Sequence, residues 1–227
     1  MDVRIYPLPM GFVQSYLEQG DGLIMIDAGM PGQAGMFAKA TAALGIQPRD
    51  IRLMVITHGH FDHTGSAKAI KDLTGAKIAM HRQDKDCLEV PVRRPPRGAT
   101  PWGRVLAGAL GAFAPSTRVA PTQVDIVLGD EGCSLAEYGV PGRVIYTPGH
   151  TVGSVSVLLE TGEALVGDLA MNAFPLRLGP GLPVFAEDVE RARESWRLLL
   201  DAGARTIYPA HGKPFPAAVM RRAVGEA

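Results

Sequence analysis

Hydrophobic positions in this chain come in short runs, and most of the runs close on Gly, Asp or His. Gly22 to Gly29, Ile51 to Thr57, Ala76 to Met80, Gly142 to Tyr146, Ser154 to Leu159 and Ala164 to Asp168 each have the length and β-branched content of a strand with at least one buried face. The opening runs, Val3 to Tyr6 and Val13 to Glu18, lead into Gln19-Gly20-Asp21-Gly22 and predict a meander with a tight Asp-Gly turn. Helical spacing appears between the strands. Gln33 to Leu44 is helix-permissive and stops at Gly45, and Ser66 to Leu73 stops at Gly75. Ala186 to Ala202 places Val189, Ala192, Trp196, Leu199 and Leu200 on one stripe, with Gly203 as the stop, so Trp196 reads as core.

Strands and helices mix without strict βαβ alternation, which predicts a layered α/β or α+β sandwich rather than a doubly wound sheet. One domain over residues 1–227 is expected, because 227 residues at 46% hydrophobic suffice for one large core. The irregular stretch is Asp84 to Gln123. It holds six prolines and the apolar segment Trp102 to Phe113, and it reads as an insertion too apolar for disorder.

Charge narrows the partners. Lys plus Arg and Asp plus Glu number 23 each, so no broad field recruits nucleic acid. The local basic run Arg93-Arg94-Pro95-Pro96-Arg97 reads as a solvated loop before a phosphate site. No apolar run approaches the ~20 residues of a membrane span, and no leader pattern precedes Val3, so a cytoplasmic protein is expected. Cys87 and Cys133 are too few and too far apart for a zinc pair or a disulfide framework, and read as packed thiols.

The chemistry lies in five of the six histidines. Thr57-His58-Gly59-His60-Phe61-Asp62-His63-Thr64-Gly65 follows the run Ile51 to Ile56; His150 follows Pro148-Gly149; Asp168 closes Val166-Gly167; His211 precedes Gly212. Residues two apart in extended chain project to one side, so His58 and His60 can reach a single ion, while Asp62 and His63 point into a neighbouring space where the chain turns toward the next helix. Two adjacent ion sites follow, built from the nitrogen and oxygen donors that suit zinc, manganese or iron. His81 has no such company and reads as a solvent-exposed or core-bridging histidine.

This pattern of His58-x-His60-x-Asp62-His63, His150, Asp168 and His211 resembles the metallo-β-lactamase superfamily from about Val3 to Pro216. The resemblance implies a four-layer αβ/βα sandwich, two mixed β-sheets flanked by helices, with the metals at one edge. His58, His60 and His150 would hold the first ion, Asp62, His63 and His211 the second, and Asp168 would bridge them. Two divalent ions, zinc first and manganese or iron as alternatives, would generate a hydroxide from shared water. Asp62 would orient the nucleophile or shuttle a proton. Asp27 matches a position that supports the metal loop from behind, although a simple turn aspartate fits it as well.

Within the superfamily, zinc β-lactamases lack a carboxylate at the position of Asp168, flavodiiron proteins carry Glu in place of His60, and the tRNA-processing nucleases need a basic surface. Glyoxalase II-like thioesterases share the ligand set but add a helical domain for which the sixteen residues after His211 leave no room. Lactonases share it with a Tyr where Met171 stands. The expectation is a dinuclear hydrolase of an ester, thioester or lactone; a mononuclear iron persulfide dioxygenase, a phosphodiesterase and a non-catalytic metal-binding protein are the alternatives. An apolar small-molecule substrate would meet Trp102, Leu106, Leu110 and Phe113 of the insertion, and Met171, Phe174 and Arg177 after Asp168. The segment Trp102 to Phe113 serves equally well as a cap, as a homodimer contact or as simple packing, and Arg177 as a surface arginine.

Overall fold

The computed structural model describes residues 3–90, 95–113 and 119–225, without the side chains of 111–113. Arg93, Arg94 and the Phe113 side chain therefore lie outside the described residues. Two six-stranded sheets form the centre. The first runs in chain order: β1 (Arg4–Pro9), β2 (Gln14–Gln19), β3 (Leu23–Ile26), β4 (Ile51–Val55), β5 (Lys77–His81) and β6 (Ile126–Leu128). Its first three strands are antiparallel and β3 to β6 are parallel. The second sheet holds β7 (Cys133–Ser134), β8 (Gly142–Tyr146), β9 (Val155–Leu159), β10 (Glu163–Gly167), β11 (Thr206–Pro209) and β12 (Phe215–Pro216), with β10 and β11 parallel. The helices are α1 (Ala34–Ala43), α2 (Phe61–Thr64), α3 (Ala67–Thr74), α4 (Asp86–Glu89), α5 (Pro101–Phe113), α6 (Val189–Asp201) and α7 (Ala218–Ala223).

Alternation along the strands explains the layering. In β3, Leu23 and Met25 pack with Phe37 of α1 and Ile70 of α3, while Ile24 and Ile26 join Val144, Val157 and Leu165 of the other sheet. A strand apolar on both faces is what a covered sheet needs. On the far side, Leu158, Val166 and Ile207 meet Ala192, Trp196 and Leu199 of α6 and Met220 of α7. The order helix, sheet, sheet, helix is the four-layer sandwich.

Most strands and helices fall where the apolar runs place them, and the Gly20-Asp21-Gly22 turn closes on the Gln19 and Leu23 pair. Helix α6 starts three residues later than its stripe suggests. Asp188 caps it by accepting from the Arg191 N–H at 2.9 Å, and Ala186 is instead tied to Arg97 O by its own N–H. The short strands β6, β7, β11 and β12 carry too few residues for a periodic signal. No described helix is long and apolar enough to cross a membrane.

Candidate metal centre

Five chain reversals meet at one edge of the sandwich. Asp27 follows β3, His58 to His63 follow β4 and enter α2, His150 follows β8, Asp168 follows β10 and His211 follows β11. The side chains of His58, His60 and His150 form one compact donor set, Asp62, His63 and His211 a second, and His58, His63 and Asp168 a third that overlaps both; within each set the donor atoms lie within 4.8 Å of one another. All seven residues that the sequence singles out as ligands are thus brought together. Six are buried, and Asp62 is 19% exposed.

The outer ring nitrogens are occupied. His150 Nδ1 donates to Phe185 O at 2.8 Å and His211 Nδ1 to Phe12 O at 3.1 Å. His63 Nδ1 lies 2.8 Å from Asp27 Oδ2, and His58 Nδ1 is 3.1 Å from Thr57 Oγ1. Carbonyls and carboxylates only accept, so in the neutral rings the lone pairs of His150, His211 and His63 lie on the inner Nε2 atoms. Asp27 is no idle turn residue: at φ 60° it takes the Thr57 N–H and hydroxyl as well as His63.

Burial drives the His58, His60 and His150 imidazoles toward their neutral form, His150 to about 4. The second set behaves oppositely. Burial opposes charge on His63 and His211, but Asp27 and Asp168 beside His63, and Asp168 and Asp62 beside His211, outweigh it and raise both, His211 to about 10. Against the same burial, His63 and His211 pull the Asp62 carboxyl down to about 2, and they hold Asp168 well below the usual carboxylate range.

These residues fit divalent cations. His58 Nε2, His60 Nδ1 and His150 Nε2 converge at 2.9 to 3.1 Å, yet lone pairs facing one another cannot all be satisfied by hydrogen bonds. His63 Nε2 and Asp168 Oδ1 are buried 3.3 Å apart without a hydrogen-bond partner. Neutral imidazoles beside carboxylates that demand positive charge form the donor set of zinc, manganese or iron.

Beyond Asp27, the sequence gives no sign of the braces behind these loops. Asp84, fully buried, accepts the Gly59 N–H at 2.9 Å and the Thr151 hydroxyl at 2.7 Å, so one carboxylate joins the loop of His58 and His60 to that of His150. From α6, the Trp196 indole donates to Leu169 O and the Ser195 hydroxyl to Pro148 O. Gly149, at φ 137°, lets its loop reach α6: a Cβ there would stand 2.4 Å from Ala192 N. Asp84→Ala is expected to leave the Gly59 N–H unpaired, cost about 1–3 kcal/mol, and weaken metal retention by about tenfold. Thermal melts and a chelator competition would measure both; unchanged metal retention would reduce Asp84 to a fold brace.

The residues named as substrate walls divide. Met171 is fully buried and, with Val184 and Phe185, packs against Leu106 of α5, so Met171 and Leu106 are packing residues in this structure. Arg177 turns onto its own loop, with Nη1 3.4 Å from Leu182 O and its guanidinium against Gly181. Trp102 and Leu110 remain partly exposed, Trp102 donating to Pro175 O, and Phe174 is 79% exposed. His81 is wholly buried, stacked on Tyr146 at 4.4 Å with Nε2 3.3 Å from Asp130, which makes it core-bridging.

Residues 8–211 match the family model of the metallo-beta-lactamase superfamily. A probable metallo-hydrolase of Methanocaldococcus jannaschii is 31% identical over 88% of this chain and 87% of its own. A probable metallo-hydrolase of Bacillus subtilis is 26% identical over 84% and 75%. The beta-lactamase-like protein 2 homolog of Drosophila melanogaster is 28% identical over 86% of this chain, which spans about half of that relative's length. Among solved structures, the B3 metallo-beta-lactamase BLEG-1 superposes with a TM-score of 0.71 at 20% identity, covering 96% of this chain and 97% of the other. A superfamily protein from Sulfolobus tokodaii gives 0.69 at 21%, covering 97% and 84%. At these identities the structures establish shared fold alone.

Proposed function

The chain belongs to the metallo-beta-lactamase superfamily, and on that premise we propose that it is a dinuclear hydrolase cleaving a carboxylic ester, thioester or lactone. Two of the relatives it resembles are named probable metallo-hydrolases, which supports metal-dependent hydrolysis. The observation that carries the finer reading is the overlap of the donor sets through His58, His63 and Asp168. His58, His60 and His150 would hold one ion, Asp62, His63 and His211 the other, and Asp168, whose Oδ1 faces His63 and His211 and whose Oδ2 faces His150, would serve both.

Bound divalent ions would supply an acidified water at neutral pH and electrostatic stabilisation of a developing oxyanion. The chain's own residues supply the rest. The Nδ1 bonds of His150, His211 and His63 fix the ring orientations, which removes the cost of ordering them during the reaction. Asp62 is the most exposed member of the set, with Oδ2 3.2 Å from His211 Nε2, and would orient the attacking water or carry a proton to the leaving group. The described site needs no serine or cysteine nucleophile.

Elemental analysis of protein purified without added metal or chelator tests the reading. About two zinc or manganese ions per chain, with turnover of an ester, thioester or lactone, is the expected result. One iron per chain with oxygen consumption on a persulfide would overturn it.

A further inference from the structure

Beside His211, at the metal edge, lies a cavity of about 520 Å³ whose lining includes the two chain neighbours of that histidine, Ala210 and Gly212. Pro9, Phe12, Val13 and Pro180 supply apolar lining, and Asn172 and Lys213 supply the polar part. The cavity is tied to the metal centre on both sides. Phe12 O holds His211 Nδ1, and Gly212 alone separates His211 from Lys213. Of the wall expected after Asp168, Met171 to Arg177, the residues Asn172 and Ala173 line it, whereas Met171, Phe174, Arg177 and the described residues of Trp102 to Phe113 do not.

Lys213 stands on a fixed base. The Asn172 side-chain amide accepts the Lys213 N–H at 2.8 Å and donates to Lys213 O at 2.8 Å, while Asn172 N–H donates to His211 O. The loops after Asp168 and after His211 are thereby clamped together, and the lysine stem starts from the clamp. Lys68, Lys71 and Lys85 each pair with a carboxylate. The Lys213 ammonium has no hydrogen bond or ion pair among the described residues. Folding leaves bulky apolar side chains uncovered here: the lining residue Phe12 is 87% exposed, and Leu178, the chain neighbour of the lining residue Gly179, is also exposed. An apolar cleft with one uncompensated cation, on a chain of zero formal net charge, selects by local contact rather than by long-range steering.

We propose that this cavity is the substrate's recognition site: the cleft takes the apolar part, and Lys213 pairs with an anionic group, carboxylate or phosphate, remote from the bond being cleaved. The inference rests on the hydrolase reading for the identity of that bond and not for the charge preference. Lys213 is a specificity residue, since it touches the substrate away from the reacting atoms.

The test uses metal-loaded full-length protein and three uncleavable thioethers with the same hexyl chain, ending in a carboxylate, a phosphate or a neutral amide. Calorimetry should show an anionic analogue binding about fivefold tighter than the amide, the better of the two identifying the group recognised. Raised salt should narrow the gap. Lys213→Met should bring the charged analogues to the affinity of the amide, and Lys213→Arg should restore the preference. Phe12→Ser should weaken all three alike. No preference in the native chain, or one that survives Lys213→Met, would overturn the proposal. Hydrolysis of a hexanoyl ester, a hexanoyl thioester and a six-carbon lactone is followed in parallel: a chain that cleaves none of them but keeps the Lys213-dependent preference would sink the hydrolase reading and uphold the recognition site.

Discussion

Asp168→Ala is expected to remove metal and activity together, lowering bound metal to about one ion per chain or less and kcat/KM by at least about a hundredfold. Two features make the effect large. Asp168 is buried, and its two oxygens face histidines of both donor sets, so on the proposed assignment its loss would strip a shared ligand rather than one of many. It also supplies the negative charge that raises His63 and His211, and without it those rings lose part of their electrostatic balance. His81→Ala is the control. It empties a buried, stacked position and should lower the melting temperature, yet it should leave the metal content unchanged, because His81 belongs to none of the donor sets. Metal analysis alongside melts separates the two, and a fully loaded, active Asp168→Ala protein would end the shared-ligand assignment.

The second large effect lies far from the metals in the chain's own accounting of charge. Glu18 sits in β2 two residues after Tyr16, on the face that looks into the space between the sheets, and neither of its oxygens has a hydrogen-bond partner. Burial, with Glu163 adding like charge, pushes its carboxyl up to about 8. In the unfolded chain it titrates near the ordinary glutamate value of 4.5. Below that value both states hold the proton. As pH climbs toward 8 the unfolded chain releases it while the folded chain keeps it, so stability falls through this window and levels off above it. The loss is on the order of 3–5 kcal/mol. Glu18→Gln keeps the shape and removes the titration. Urea melts at equal metal loading should therefore show the variant gaining several kcal/mol on the native chain between pH 5 and pH 8. Parallel curves would mean that Glu18 finds a partner or water in solution.

Both effects show where sequence reading succeeds and where it stops. Asp168 is legible because its neighbours are: an apolar run, Gly167, then a carboxylate, in a series whose other members end in histidine. Glu18 is not. In Gln14-Ser15-Tyr16-Leu17-Glu18-Gln19 each face of the strand mixes polar and apolar residues, and nothing local says that a second sheet covers the face that carries Tyr16 and Glu18. Asp84 escapes for the same reason, since Gly59 and Thr151 lie 25 and 67 residues away and only folding brings them to one carboxylate.

From the sequence alone came the donor atoms, their order, the strands that deliver them and the apolar stripe of α6, because ligand chemistry and periodicity are properties of residue type and spacing. Tertiary structure decided the rest. It added the overlap of His58, His63 and Asp168 across the two expected donor sets, turned Met171 and Leu106 into packing, folded Arg177 onto its own loop, and opened the cavity between Phe12 and Lys213. Those outcomes depend on contacts between segments up to about two hundred residues apart, such as Phe12 with His211, and such contacts arise from packing two sheets face to face, which no local pattern encodes.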